Sequence, residues 1–269
     1  MNTWVNGASS TRIDVTDRGL HYGDGLFETM AVIDGRIRLL ERHLARLLHG
    51  AERLGIVMPD NVDVMLREKA AVSGTAILKL IVTRGAGGRG YTPPAQASPG
   101  CILMTYPWPS VPTSMTLRVC ETRLGHNPAL AGIKHLNRLE QVLASREWSV
   151  GETADDGVML DTEERVIETT RANLFIVSGG KLLTPQLDGS GVRGVMRDHV
   201  IDVAVRNAIE CSEAALSLDD LHNADEIFVT NAVIGVCPVT ALGQHRFPIG
   251  RMTARIATAL QGEDKHPCG

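Results

Sequence analysis

Lys134 is the residue of this chain best set for covalent chemistry. It is one of five lysines against twenty-two arginines, and it follows the small, apolar run Leu130-Ala-Gly-Ile. A helical pattern of Leu136, Leu139, Val142 and Leu143 comes after it, so the sequence predicts an amine just ahead of a helix and beside apolar groups. Desolvation disfavours a charged ammonium, and a neutral amine is the form that attacks a carbonyl to give a Schiff base. Taken alone, the same residue also fits a surface lysine at a helix start.

Four further features bear on chemistry. Gly191-Val-Arg-Gly194-Val-Met-Arg197 is a glycine-rich turn feeding a helix, and exposed N–H groups at such a start suit a phosphate. It lacks the Gly-Lys-Ser/Thr ending of a nucleotide P-loop, and many glycine-flanked helix starts bind nothing. Glu168, in Val166-Ile-Glu-Thr-Thr-Arg171, places a carboxylate within an apolar strand. There it could pair with a protonated ring nitrogen, or simply face solvent. Arg46, within a helical pattern, could reach a phosphate with its forked guanidinium or sit on the polar helix face. Lys79, Arg84, Arg89 and Tyr91 surround the loop Arg84-Gly-Ala-Gly-Gly-Arg-Gly-Tyr91. Two arginines on a glycine loop suit small carboxylates, and a solvated basic loop reads equally well.

The elements that must position these residues are mixed. Strands are expected at 26–32 and 36–40, joined by the hairpin signal Asp34-Gly35. A helix over 41–54 would bury Leu44, Leu47, Leu48, Ala51 and Leu54 and stop at Gly55. A helix over 61–71 and strands at 76–83 and 101–106 complete a first domain, residues 1–106. Three prolines in Tyr106-Pro-Trp-Pro-Ser-Val-Pro112 break regular structure, which places a linker at 107–114. A second domain, 115–269, opens with a strand at 115–121. After the Lys134 helix come strands at 157–160, 166–169 and 174–177, a helix over 194–208, strands at 225–230 and 233–239, and a last helix over 252–261. This pattern is α+β in two domains and not a doubly wound parallel sheet.

Composition narrows the function class. The chain has 269 residues, a net charge of −4 and 22% charged residues, as soluble globular proteins do. A pI near 6.1 gives no support for nucleic-acid binding. Cys101, Cys120, Cys211, Cys237 and Cys268 are odd in number and widely spaced. Neither a disulfide framework nor a metal site is expected from them, and a reducing cytoplasm is the default compartment. The first residues lack the apolar run of a signal peptide, and no run approaches the roughly 20 apolar residues of a membrane span.

In order along the chain stand Asp17-Arg18-Gly-Leu-His-Tyr-Gly23-Asp-Gly25-Leu-Phe-Glu28-Thr29, His43-Leu-Ala-Arg46-Leu, Lys134, Glu168 to Phe175, Gly191 to Arg197, Ala224-Asp-Glu226 and Pro238-Val239. Together they resemble the fold-type IV pyridoxal 5'-phosphate enzymes, nearly end to end. That group contains branched-chain aminotransferases, D-amino acid aminotransferases and 4-amino-4-deoxychorismate lyases. The stretches Thr83 to Tyr91 and Arg123-Leu-Gly-His-Asn-Pro-Ala-Leu-Ala-Gly-Ile-Lys134-His-Leu-Asn-Arg-Leu-Glu-Gln141 look most like the lyases. Leu139 stands where branched-chain aminotransferases have tyrosine, and Arg89-Gly-Tyr91 where D-amino acid aminotransferases have Arg-x-His.

The resemblance implies a smaller N-terminal α/β domain and a larger C-terminal barrel-like β domain with helices. It implies that Lys134 carries the cofactor, that Glu168 faces the pyridine nitrogen, and that Arg46 with the amides near Val195 and Met196 binds the phosphate. Thr29 would guide a proton in a lyase reaction that serves folate biosynthesis, and Lys79, Arg84, Arg89 and Tyr91 would face a small carboxylate substrate. A homodimer is implied as well. The alternatives are a D-amino acid or branched-chain aminotransferase on the same scaffold, or a pyridoxal-phosphate-binding protein without activity.

Overall fold

The computed structural model describes residues 1–148 and 154–264; Cys268 lies outside the described residues. Contacts divide the chain into two units, Met1–Ser110 with Ile133–Arg138, and Val111–Gly132 with Leu139–Gly269. Among the described residues no helix is long and apolar enough to cross a membrane.

The first unit holds β1 (Thr3–Val5), β2 (Ala8–Ser9), α1 (Arg18–Tyr22), β3 (Gly25–Ile33), β4 (Arg36–Ile37), α2 (Leu40–Leu54), α3 (Val62–Ala71), β5 (Ala76–Thr83) and β6 (Gly100–Pro107). Its sheet runs β2-β1-β6-β5-β3-β4, every pair antiparallel. The hairpin at Asp34-Gly35 forms as its sequence demands, with φ of 49° and 77° at the two corner residues. The strand expected over 36–40 shrinks to two residues, because Leu39 turns to φ 56° and α2 starts at once. Gly55, at φ 62°, stops α2 and donates its N–H back to Ala51 and Glu52.

One face of β3 (Leu26, Met30, Val32) packs with Leu47 and Ala51 of α2, Leu66 of α3, and Leu78, Leu80 and Leu103 of the neighbouring strands. Truncating such a leucine to alanine costs about 2–5 kcal/mol. Leu48, expected in this core, is 52% exposed. His43 takes a buried place on the helix instead, for a reason given below.

The second unit holds β7 (Met115–Val119), α4 (Leu139–Ala144), β8 (Asp156–Leu160), β9 (Val166–Thr169), β10 (Asn173–Ser178), β11 (Lys181–Pro185), α5 (Val195–Arg206), β12 (Cys211–Ala214), α6 (Leu218–His222), β13 (Glu226–Asn231), β14 (Gly235–Leu242), β15 (His245–Arg246) and α7 (Arg251–Asp264). The sheet follows β12-β11-β10-β13-β14-β7-β8-β9, with β15 beside β14. It is mixed: β11/β12, β14/β7 and β7/β8 are parallel, the rest antiparallel. The far strand β9 comes back against β10 and β11, so the sheet curls in the barrel-like manner expected.

All of β8 and β9, and all but the last residue of β10 and β13, are buried. Strands covered on both faces read as unbroken apolar runs. Phe175 and Phe228 stack at 4.9 Å in this core. α5 packs against α7 and β13. Glu226 receives the N–H groups of Met252 and Thr253 and so caps the start of α7.

Candidate active site

In the first unit, β3 alternates. Leu26, Glu28 and Met30 are buried toward α2, while Phe27 and Thr29 lie on the opposite face and are partly open. The register sets Thr29 opposite Lys79 and Phe27 opposite Ile81. The Lys79 ammonium stands 5.3 Å from the centre of the Phe27 ring. The Lys134 ammonium stands 4.4 Å from the same ring, close enough for cation–π attraction. Lys134, Lys79 and Thr29 therefore share one sheet face around one aromatic ring.

Lys134 precedes a helix, as its sequence suggested, but the helix starts later than the pattern implied. Residues 134–136 pass beside the edge of β3, with His135 bridged to Leu26. Phe27 N–H donates to the Lys134 carbonyl at 3.0 Å and Leu136 N–H to the Gly25 carbonyl at 3.0 Å. These bonds compete with helix formation, and α4 begins only at Leu139. Its apolar residues Leu139, Val142 and Leu143 are 70%, 54% and 45% exposed, not buried as the helical pattern implied. The close pass needs glycine at 23 and 25: a Cβ at Gly23 would meet the Asn137 side chain at 2.5 Å, and one at Gly25 the Leu136 side chain at 2.7 Å.

Arg46 lies under the same strand. Its Nε donates to Glu28 Oε1 at 2.8 Å, and a second guanidinium nitrogen reaches Glu28 Oε2. His43 Nδ1 meets Glu28 Oε2 at 2.7 Å. Burial would raise the Glu28 pKa, but the Arg46 charge and the His43 contact outweigh it and pull it to about 2. The His43 pKa is lowered, first by burial; Glu28 opposes this, and the Arg46 and Lys134 charges add to the lowering. His43 is thus a neutral donor to an ionised Glu28.

The glycine loop divides the remaining cations. Arg84 is buried, and its guanidinium is committed. It binds Asp24 through Nε at 2.7 Å and a second nitrogen at 3.0 Å, and donates to the carbonyls of Gly55 and Leu54 at 2.6 and 2.7 Å. Arg18 joins Asp24 and fastens the loop through the carbonyls of Gly90 and Tyr91, each at 2.9 Å. Burial pushes the Asp24 pKa up, yet these two arginines hold it below the ordinary value. The Arg84 guanidinium is thus held on groups of its own unit at the base of the loop. Arg89 and Tyr91 remain exposed at the loop tip.

In the second unit, Glu168 of β9 is 5% exposed and not solvent-facing. Its Oε2 accepts the N–H of Val192 at 2.9 Å. Asn173 Nδ2 donates to the Val192 carbonyl at 2.8 Å, so β9 and β10 both hold the turn before α5. Gly191 there has φ +83°, and a Cβ on it would strike Ile167 at 2.6 Å and Leu187 at 2.8 Å. α5 starts after Gly194 with no side-chain cap. Val195 and Met196 form its buried first turn, and such a start concentrates donor N–H groups.

Four residues that hold these groups have no role assigned by the sequence motifs in which they stand: Phe27, Glu28, His43 and Arg138. A usable signal was present for two of them. His43 and Arg46 are three apart and share a helix face, and Glu28 is the one carboxylate in an otherwise apolar strand.

Residues 25–242 match the family model for class IV amino-transferases. The chain is 38% identical to an aminodeoxychorismate lyase of Vibrio harveyi, over 94% of this chain and 97% of that protein. It is 34% identical to a putative branched-chain-amino-acid aminotransferase of Methanocaldococcus jannaschii, over 89% and 87% of the two chains. Its fold superposes on the crystal structure of 4-amino-4-deoxychorismate lyase from Pseudomonas aeruginosa with a TM-score of 0.92 and 45% identity, covering 98% of this chain and 99% of that one.

Proposed function

The chain belongs to the class IV aminotransferase family, and within it we propose a pyridoxal 5'-phosphate-dependent lyase that converts 4-amino-4-deoxychorismate to 4-aminobenzoate and pyruvate. The observation that carries this reading is the 45% identity to the Pseudomonas aeruginosa lyase over nearly the whole of both chains. It is joined to a lysine and a threonine on one sheet face.

The residues suit the cofactor. Glu168 is a buried acceptor already oriented by Val192 N–H, which fits a protonated ring nitrogen. The uncapped start of α5 fits a phosphate; in the first unit, Arg46 carries a guanidinium fixed in place by Glu28. When bound, pyridoxal phosphate supplies an aldehyde that captures amines and a ring that accepts an electron pair.

The chain's own residues do the rest. Lys134 Nζ would hold the cofactor, and as a free neutral amine it would take the proton from C4 of the substrate as a general base. The enolpyruvyl group leaves from C3 as the ring becomes aromatic. Thr29 Oγ1, directly or through a water, delivers a proton to the methylene carbon, so the leaving group departs as pyruvate. Lys79, on the same sheet face, meets one substrate carboxylate, and Arg89 and Tyr91 serve the other. Arg84 takes no part in binding.

Two further points belong to this reading. The exposed apolar residues of α4 support a homodimer, to be checked by sedimentation; a fully active monomer at assay concentration would reject it. The thiols of Cys101, Cys120, Cys211 and Cys237 are unpaired with one another, which supports work in a reducing cytoplasm.

The deciding experiment mixes the cofactor-loaded protein with 4-amino-4-deoxychorismate and measures pyruvate and 4-aminobenzoate. Equimolar products are expected. Absence of pyruvate, with conversion of the cofactor to its amine form by an amino acid, would make the protein an aminotransferase.

A further inference from the structure

We infer that Arg138 is a positioning residue for the reaction: its guanidinium straps the peptide carbonyls on either side of Lys134 and fixes where that amine stands. The inference rests on Lys134 being the reactive lysine, as proposed above.

Arg138 Nε donates to the His135 carbonyl at 2.9 Å, and a second guanidinium nitrogen donates to the Ile133 carbonyl at 3.1 Å. The carbonyl between them, that of Lys134, receives Phe27 N–H at 3.0 Å. Three consecutive carbonyls are thereby held. Downstream, Asn137 Nδ2 donates to the Gly23 carbonyl at 3.2 Å. A planar fork of donors spans two carbonyls at fixed separation in a way that a single ammonium does not.

The placement is not explained by helix stability. Arg138 directly precedes α4, and a cation at a helix N-terminus is disfavoured by the helix dipole. Nor can the neighbouring imidazole replace it. His135 is pushed to a pKa of about 4, by burial first and then by the Arg138 charge, so it is neutral near pH 7 and Arg138 alone supplies the charge at the strap.

A strap matters because Lys134 must occupy two positions in turn, one holding the cofactor and one reaching a substrate proton. Its four-carbon stem allows the swing, but the root of the stem has to stay fixed. A misplacement of about 1 Å at a reacting group can cost on the order of 10²-fold in rate.

The test compares wild type, Arg138→Ala and Arg138→Met, each loaded with pyridoxal phosphate. Arg138→Met keeps the stem packing and serves where the alanine variant does not fold. We expect kcat to fall about 10²-fold, with KM within about threefold and cofactor content unchanged. Added methylguanidinium should restore part of kcat in Arg138→Ala, and Arg138→Lys should not match that rescue. An unchanged kcat, or a loss that follows lost cofactor or lost fold in both variants, would overturn the strap. Borohydride labelling of the wild type separates the two levels. A label away from Lys134 overturns the assignment of the reactive lysine, and the strap's role with it. A label on Lys134 with undiminished kcat in the variants overturns the strap alone.

Discussion

Replacing Glu28 with glutamine should destabilise the protein in a way that depends on pH with a defined sign. Glu28 is 1% exposed and bound to Arg46 and His43. Its pKa falls from an ordinary 4.5 to about 2. A depressed carboxylate stabilises the fold above its unfolded pKa, and that stabilisation is lost as pH falls through the folded value. The 2.5-unit difference between those values corresponds to about 3 kcal/mol. Glu28→Gln keeps the shape and one acceptor but removes the charge.

Urea unfolding of the cofactor-free protein, followed by circular dichroism, should show the variant about 3 kcal/mol less stable near pH 7. The gap should shrink to about half by pH 3 and nearly close by pH 2. The buried, neutral His43 also loses stability on acidification, as its counterpart in the unfolded chain takes up a proton around 6.5. That loss is carried by both proteins, so the Glu28 effect is read from the gap between them and not from either curve alone. A gap that stays constant from pH 7 to 3, or widens, would refute the assignment of Glu28 as the charge partner of Arg46.

Three other outcomes are expected. Glu168→Gln should keep the cofactor bound, because the amide can still accept from Val192 N–H, but should lower kcat about 10²-fold or more by losing the ring-nitrogen proton; turnover within a few-fold of wild type would exclude that role. Thr29→Ala should lower pyruvate release about 10²–10⁴-fold while leaving the visible spectrum of the bound cofactor and any slow transamination nearly intact; equal losses in both activities would make Thr29 a packing residue. Arg84→Met should cost about 3–5 kcal/mol, because it strips Asp24 of a buried partner and leaves two carbonyls without their donor, with KM of the folded fraction unchanged; a tenfold rise in KM at unchanged melting temperature would return Arg84 to the substrate site.

The regular elements were legible where one physical rule dominated. The strand expected at 76–83 is β5 to the residue, because its apolar run is long and bounded on both sides. The helix expected at 41–54 is α2 within one residue, since the apolar period and Gly55 agree. Short elements escaped: β1, β2 and β12 have two to four residues each, and long-range pairing decides their conformation. The helix expected after Lys134 is present as α4, but it starts only at Leu139, as pairing with β3 from over a hundred residues away holds residues 134–136 out of it. The α2 face was misjudged because Leu48 and His43 exchange their usual places, and His43 is buried by a partner on another element. The arginines were the least legible. A guanidinium serves equally as a clamp or a binder, and only its partners tell Arg84 from Arg89.

The path of residues 133–138 has a consequence for how the protein is made. A ribosome releases the first 110 residues well before the segment that bonds to Gly25 and Phe27. Until residue 138 has emerged, that edge of β3 offers unsatisfied backbone groups, which are open to wrong pairing. That edge of the first unit is therefore completed only when a later part of the chain doubles back. A gene split after Ser110 would encode an N-terminal fragment lacking both its closing segment and Lys134. A split after Ala144, at the end of α4, would leave that segment attached to its partner. Complementation between co-expressed halves should succeed at the second cut and be poor at the first.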